Sequence, residues 1–117
     1  MLDIYTLKSC DTCRKAVKWL ESNNITANIY DIRSDGISSD VIATAINSLG
    51  WEKVLNRRST TWRGVDENLK QDMTAEKATA LIVENPMLMK RPLFVSDGNH
   101  VVGFDKAAQS RLAEITP

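Results

Sequence analysis

Net charge is what this sequence most plainly lacks, with 15 Lys and Arg set against 15 Asp and Glu in 117 residues. A polyanion or an anionic membrane surface is held by an excess of cations, so direct nucleic-acid and membrane roles are argued against. Long apolar runs are missing too. No stretch approaches the roughly 18 residues that a membrane helix needs, and the opening MLDIYTL is too short and too polar for a secretory signal. The chain is therefore expected to be soluble and cytoplasmic. Glycine and proline are sparse, at five and three, and no linker, repeat or low-complexity tract divides the chain. One domain over residues 1–117 is expected, long enough to bury ~65% of its unfolded surface without covalent staples. Cysteine is scarce as well, with two residues in all. In a reducing compartment such a pair is expected to be reactive or metal-binding rather than structural.

What is present begins with alternating periods. Asp3 to Leu7 mixes β-branched, aromatic and aliphatic residues and reads as a strand. Cys13, Ala16, Val17 and Leu20 then follow at i, i+3, i+4, i+7, which predicts a helix over about residues 11–23 with one buried stripe. ITANIYDI reads as a second strand, parallel to the first through a right-handed crossover. Ser39 or Asp40 is expected to cap a helix with Ile42, Ala45, Ile46 and Leu49 inward and Gly50 at its C-terminal end. Thr74 is expected to cap another, with Ala75, Ala78, Leu81 and Ile82 inward and Asn85-Pro86 as its stop. Residues 51–73 between them read as short helical turns and loops. LFV, a turn at Ser96 to Asn99 and HVVGF make a hairpin, and Asp105 opens a last helix carrying Ala108, Leu112 and Ile115. Trp19 and Trp51 are placed at helix margins.

On this map the two cysteines differ. Cys10 falls at the start of the first helix, where orphan N–H groups and the positive end of the macrodipole favour a thiolate. Cys13 lies on the buried stripe, where desolvation keeps a thiol protonated. One attacking and one resolving sulfur fit that asymmetry. Metal binding is a poor alternative, because zinc takes about four ligands and only His100 and carboxylates could complete the set. A stabilising disulfide gains little entropy from so short a loop. Two inert buried thiols stay open, because free cysteine is among the residue types most often buried. A Cys-x-x-Cys beside a βαβ unit otherwise reads as thioredoxin-like redox chemistry.

Among the cations, Arg91 alone has its direction fixed by a rigid neighbour, Pro92, at the mouth of a strand. LNRRSTTWRG adds Arg57, Arg58 and Arg63 beside Trp62, and for each arginine a solvated surface charge remains the competing reading. His100, the single histidine, opens a hairpin strand and is expected to be exposed rather than a general base.

YTLKSCDTCRKAVKWLE, LNRRSTTWR, ENPMLMKRPLFV and HVVGF, in this order across essentially the whole chain, resemble the arsenate reductase (ArsC) family, especially its Spx and YffB branch. The resemblance implies an α/β thioredoxin-like fold: a four-stranded mixed sheet built β-α-β, then β-β-α, with a helical insertion at about residues 38–86 between strands 2 and 3. It implies a cis Arg91–Pro92 bond. Carried over residue by residue, it makes Cys10 the catalytic cysteine and Arg91 the arginine that contacts oxyanion and thiolate. Arg58, or Arg57 in another alignment, is a second arginine, and Arg58, Trp62 and Pro92 line the substrate face. A third arginine of arsenate reductases would fall near Gly103 and is missing. Arsenate carries about two charges and is best held by several forked arginines, so the loss argues against arsenate as substrate, although a true arsenate reductase stays among the alternatives. Cys13, where many relatives of the family have a serine or another residue, adds a resolving thiol within the chain. The expectation is a thiol-dependent reductase with no bound metal or cofactor, using glutathione or another oxidised thiol as partner. The alternative is a redox sensor like Spx that binds the RNA polymerase α-subunit, with Gly50 at the contact.

Overall fold

The computed structural model describes residues 1–116. The chain divides into two compact units, Met1–Gly36 with the chain from Arg91 onward, and Ile37–Lys90.

The first unit carries the sheet. Strands β1 (Leu2–Thr6), β2 (Ala27–Asp31), β3 (Leu93–Ser96) and β4 (Asn99–Val102) lie in the order β2-β1-β3-β4. β1 runs parallel to β2, in register Ile4 with Ile29, and antiparallel to β3, with Ile4 opposite Phe94. β3 and β4 form a hairpin closed by Asp97 and Gly98, both at positive φ. This is the mixed sheet of a thioredoxin-like α/β fold. Helices α1 (Asp11–Ser22) and α7 (Lys106–Ile115) cover one face, where Ala16 and Leu20 of α1 meet Leu2, Ile4, Phe94 and Val101 of the sheet and Ala108 and Leu112 of α7. Each large apolar side chain fully buried there contributes roughly 1.5–3 kcal/mol. Trp19 packs edge-on against Phe104 at the rim, 5.8 Å between ring centroids. Tyr5 and Tyr30, a register pair, stack at 5.1 Å.

Helix starts follow from side-chain caps. Asp105 accepts the Ala108 N–H at 2.8 Å and opens α7 as expected. In the second unit, Thr74 accepts from Lys77 to start α6 (Ala75–Glu84). Helix α2 (Ser39–Leu49) begins earlier than expected: Ser38, not Ser39 or Asp40, is its cap, because its hydroxyl reaches the Val41 N–H at 3.2 Å. α2 and α6 turn Ile42, Ala45, Ile46, Ala78 and Ile82 inward. Ala75 is exposed rather than inward, since the first turn of α6 lies beyond the packed stripe. Between them, α3 (Trp51–Val54), α4 (Thr60–Arg63) and α5 (Glu67–Lys70) are single turns. A 3-10 turn at Pro86–Leu88 follows α6, and the Leu55–Met89 bridge ties the end of α3 to the chain just after that turn. No helix among the described residues is long and apolar enough to cross a membrane.

Candidate functional site

The β1–α1 turn sets the site. Its strand end is fixed by Thr6, whose hydroxyl donates to the Tyr30 carbonyl at 2.8 Å and whose carbonyl accepts the Ile32 N–H at 2.9 Å. Asp31, only 7% exposed, accepts the N–H groups of Lys8 at 3.0 Å, Arg33 at 2.8 Å and Ser34 at 3.1 Å. Those donors, led by Lys8, hold its carboxyl below the usual carboxylate range despite burial. The carboxylate thus fastens the turn leading to Cys10 onto the end of β2. The Cys10 N–H closes the turn on the Leu7 carbonyl at 2.9 Å.

Cys10 is the N-cap residue of α1, with extended backbone (φ −91°, ψ 117°). Its carbonyl already accepts the Arg14 N–H at 3.1 Å, while its sulfur makes no full capping hydrogen bond. Partial burial pushes the Cys10 thiol up, but the Cys13 N–H, the Cys13 thiol, the Arg91 guanidinium and the Thr12 N–H together outweigh it, so its pKa lies below the ordinary value. Asp11, the acidic residue of the first turn, would oppose a thiolate. It is engaged by Arg14 one turn on.

Cys13 is 1% exposed. Burial above all, with the Cys10 sulfur beside it, pushes its thiol up to about 12, against smaller lowering effects of the Leu7 backbone and Arg91. The two sulfurs are reduced and interact directly. A single helix turn therefore holds an ionisable outer sulfur over a protonated inner one.

Arg91 comes from the segment entering β3. Its peptide bond to Pro92 is cis, Pro92 is buried, and the Pro92 carbonyl accepts the Gly103 N–H at 2.9 Å. Its charge acts on both cysteines. Cys10, Cys13, Arg91 and Pro92 thus belong to the same unit. Arg58 and Trp62 belong to the other: Arg58 is exposed, its N–H on Asn56 Oδ1 at 3.1 Å, and half-buried Trp62 in α4 has Lys70 Nζ 4.9 Å from its ring centre. Arg57 instead stacks over Trp51 at 5.0 Å.

One expectation changes. His100 is 7% exposed, not exposed as its place at a hairpin strand suggested, because β4 is buried at both His100 and Val101, whose side chains leave the strand in opposite directions. Burial lowers its pKa. Gly103, where the missing arginine would fall, has φ +81° with nothing within 4 Å of an added Cβ. The backbone rather than space selects glycine there. Asp31 was not singled out from the sequence. DIRSD carries the signal for its local half, an aspartate accepting N–H groups two and three residues on; its bond to Lys8 is a product of the fold.

Comparison with known proteins places these features. Residues 5–112 match the sequence model of the ArsC family. An uncharacterized protein of Haemophilus influenzae is 40% identical over 106 residues, covering 91% of this chain and 93% of its own. The global transcriptional regulator Spx 1 of Oceanobacillus iheyensis is 32% identical over 108 residues, covering 91% of this chain and 82% of its own. Among solved structures, the YFFB (PA3664) protein superposes with a TM-score of 0.90 at 32% identity, covering 98% of this chain and 99% of its own.

Proposed function

The chain belongs to the ArsC family, and on that premise we propose that it is a thiol-dependent reductase working by thiol–disulfide exchange through Cys10. The observation that carries this reading is the opposed titration of two sulfurs one helix turn apart: Cys10 lowered, Cys13 raised to about 12. The thiolate is the nucleophile in such exchange.

The Cys10 thiolate attacks one sulfur of a substrate disulfide, forming a Cys10–substrate disulfide and expelling the other sulfur as a thiolate that takes up a proton. Arg91 and the N–H groups of Thr12 and Cys13 favour the anion before attack. Once Cys10 is disulfide-bonded, its charge no longer raises Cys13, and the inner thiol becomes easier to ionise. Cys13 then attacks the Cys10 sulfur, releases the substrate thiol and leaves a Cys10–Cys13 disulfide, which two glutathione molecules reduce while becoming glutathione disulfide. Glutathione acting directly on the mixed disulfide is the equivalent route without Cys13. Arg58, Trp62 and Pro92 are proposed to contact the substrate, and the carboxylates of glutathione suit Arg58 and Arg91. No resident cofactor is invoked. Arsenate fits less well, since the backbone at Gly103 disfavours the third arginine.

The test is steady-state reduction of a glutathione mixed disulfide. Turnover lost in Cys10→Ser and retained in part in Cys13→Ser supports the proposal; turnover that survives Cys10→Ser overturns it.

A second reading, a redox-sensing regulator that binds the RNA polymerase α-subunit, is favoured by the 32% identity to Spx 1. Gly50, proposed as its contact, has φ +91° where α2 meets α3, so a glycine there has a backbone reason independent of any partner. Capture of the polymerase α-subunit that depends on Gly50 would favour regulation over turnover.

A further inference from the structure

A groove of about 700 Å³ runs along α1 from Lys8 to Glu21. It lies between α1 and the edge strand β2, entirely within the first unit. Its floor is apolar: Leu7, Val17 and Ile29, with the Cys13 side chain closing one wall. Ile29 is the register partner of Ile4 and shares its sheet face, yet it is 52% exposed because α1 covers β1 and stops short of the edge. A β-branched residue left open at a sheet edge beside a cavity is a surface awaiting an apolar neighbour.

The rim has a sign. Four cations, Lys8, Arg14, Lys15 and Lys18, face two carboxylates, Asp11 and Glu21. Asp11 is already engaged by Arg14, which leaves Lys8, Lys15 and Lys18 against Glu21. This local excess stands out in a chain whose charges sum to zero. One end of the groove, at Lys8 and Asp11, adjoins Cys10 in the chain.

We propose that this groove docks an extended acidic segment of a partner protein, with alternate apolar side chains on the floor and carboxylates at the lysine rim. In an extended chain successive side chains point to opposite sides, so one segment satisfies both surfaces. The stretch of α1 from Asp11 to Glu21 is about 15 Å long at ~1.5 Å per residue, which an extended chain covers in about five residues at ~3.3 Å each. A nucleic-acid backbone would supply charge for the rim but no apolar group for the floor. The inference deepens the thiol-exchange reading by naming protein disulfides near acidic sequence as the substrate class. It rests on that reading only for the sulfur delivered to Cys10.

Binding is measured with the full-length Cys10→Ser chain, which cannot form the mixed disulfide, so affinity is read apart from chemistry. The probe is a fluorescein-labelled hexapeptide alternating Glu and Leu, followed by anisotropy, with a Lys and Leu hexapeptide and a duplex DNA of equal label as comparisons. The acidic peptide is expected to bind, to weaken at least about tenfold when Lys15→Glu and Lys18→Glu are combined, and to weaken again with Ile29→Ser. These three positions are solvent-facing and tolerate change, and circular dichroism of each variant checks the fold. Absence of binding, equal binding by the charge-reversed variant, or preference for the basic peptide or DNA overturns the proposal. Mixed-disulfide turnover that survives Cys10→Ser, with peptide binding intact, would instead sink the catalytic reading and leave the groove standing.

Discussion

Alkylation of the folded, reduced protein with iodoacetamide at pH 7 should modify Cys10 long before Cys13. With its thiol pushed up to about 12, Cys13 is ionised in about one molecule in 10⁵ at pH 7, against about one in 10² for a thiol at the ordinary value of 9.0. The more basic thiolate is intrinsically more reactive. A Brønsted coefficient of ~0.4–0.5 over those three units returns about 15- to 30-fold, leaving Cys13 about 30- to 60-fold slower from ionisation alone. Its 1% exposure slows it further, since the reagent must wait for the helix to open. Intact mass over time should show one adduct accumulating, peptide mapping should place it on Cys10, and a second should arrive only in denaturant, where Cys13 reacts as an ordinary thiol. Two adducts forming in the native protein at comparable rates would refute the reasoning, because neither burial nor ionisation would then separate the sulfurs.

Arg91→Ala should raise the pKa of Cys10 and slow its alkylation at neutral pH, an effect read from the pH profile of the rate; an unchanged profile would remove Arg91 from the site. Phe94→Ala should cost about 3–5 kcal/mol in urea unfolding, because the ring is fully buried between the sheet and its two helices, and a loss under ~1 kcal/mol would show that this core is not the one described. His100 has a folded pKa below its ordinary 6.5, so the unfolded chain binds the proton first. Its contribution to stability is therefore full above 6.5 and declines as pH falls from there toward the folded pKa. His100→Gln should flatten stability in that window, measured by urea midpoint against pH.

Legibility in the sequence tracked the length over which a pattern repeats. α1 spans three turns, and its stripe of Cys13, Ala16 and Leu20 was readable, as were the Thr74 and Asp105 caps, whose oxygens find N–H groups three residues on. α3, α4 and α5 are four residues each, too short for a helical period to fix their bounds, so residues 51–73 read only as short helical turns and loops. Ser59 and Asp66 cap α4 and α5, and Leu55, just after α3, pairs with Met89. The contrast between the cysteines was foreseeable from helix position, since residue 10 caps the helix and residue 13 faces the core. The action of Arg91 on both sulfurs was not, because 81 positions separate it from Cys10 in the chain. The resemblance supplied the arginine, and the fold brings it to the sulfurs. Asp31 escaped for the same reason, its bond to Lys8 crossing 23 positions. His100 was misjudged because hairpin strands commonly leave one face in water, whereas β4 is buried on both.

The most direct measurement is the ultraviolet absorbance of the thiolate, followed from acid to alkaline pH in the wild-type protein and in Cys10→Ser. A single sulfur should ionise below the ordinary 9.0 and vanish from the Cys10→Ser curve. A wild-type curve with no ionisation below 9.0, or one that Cys10→Ser leaves intact, would contradict the account.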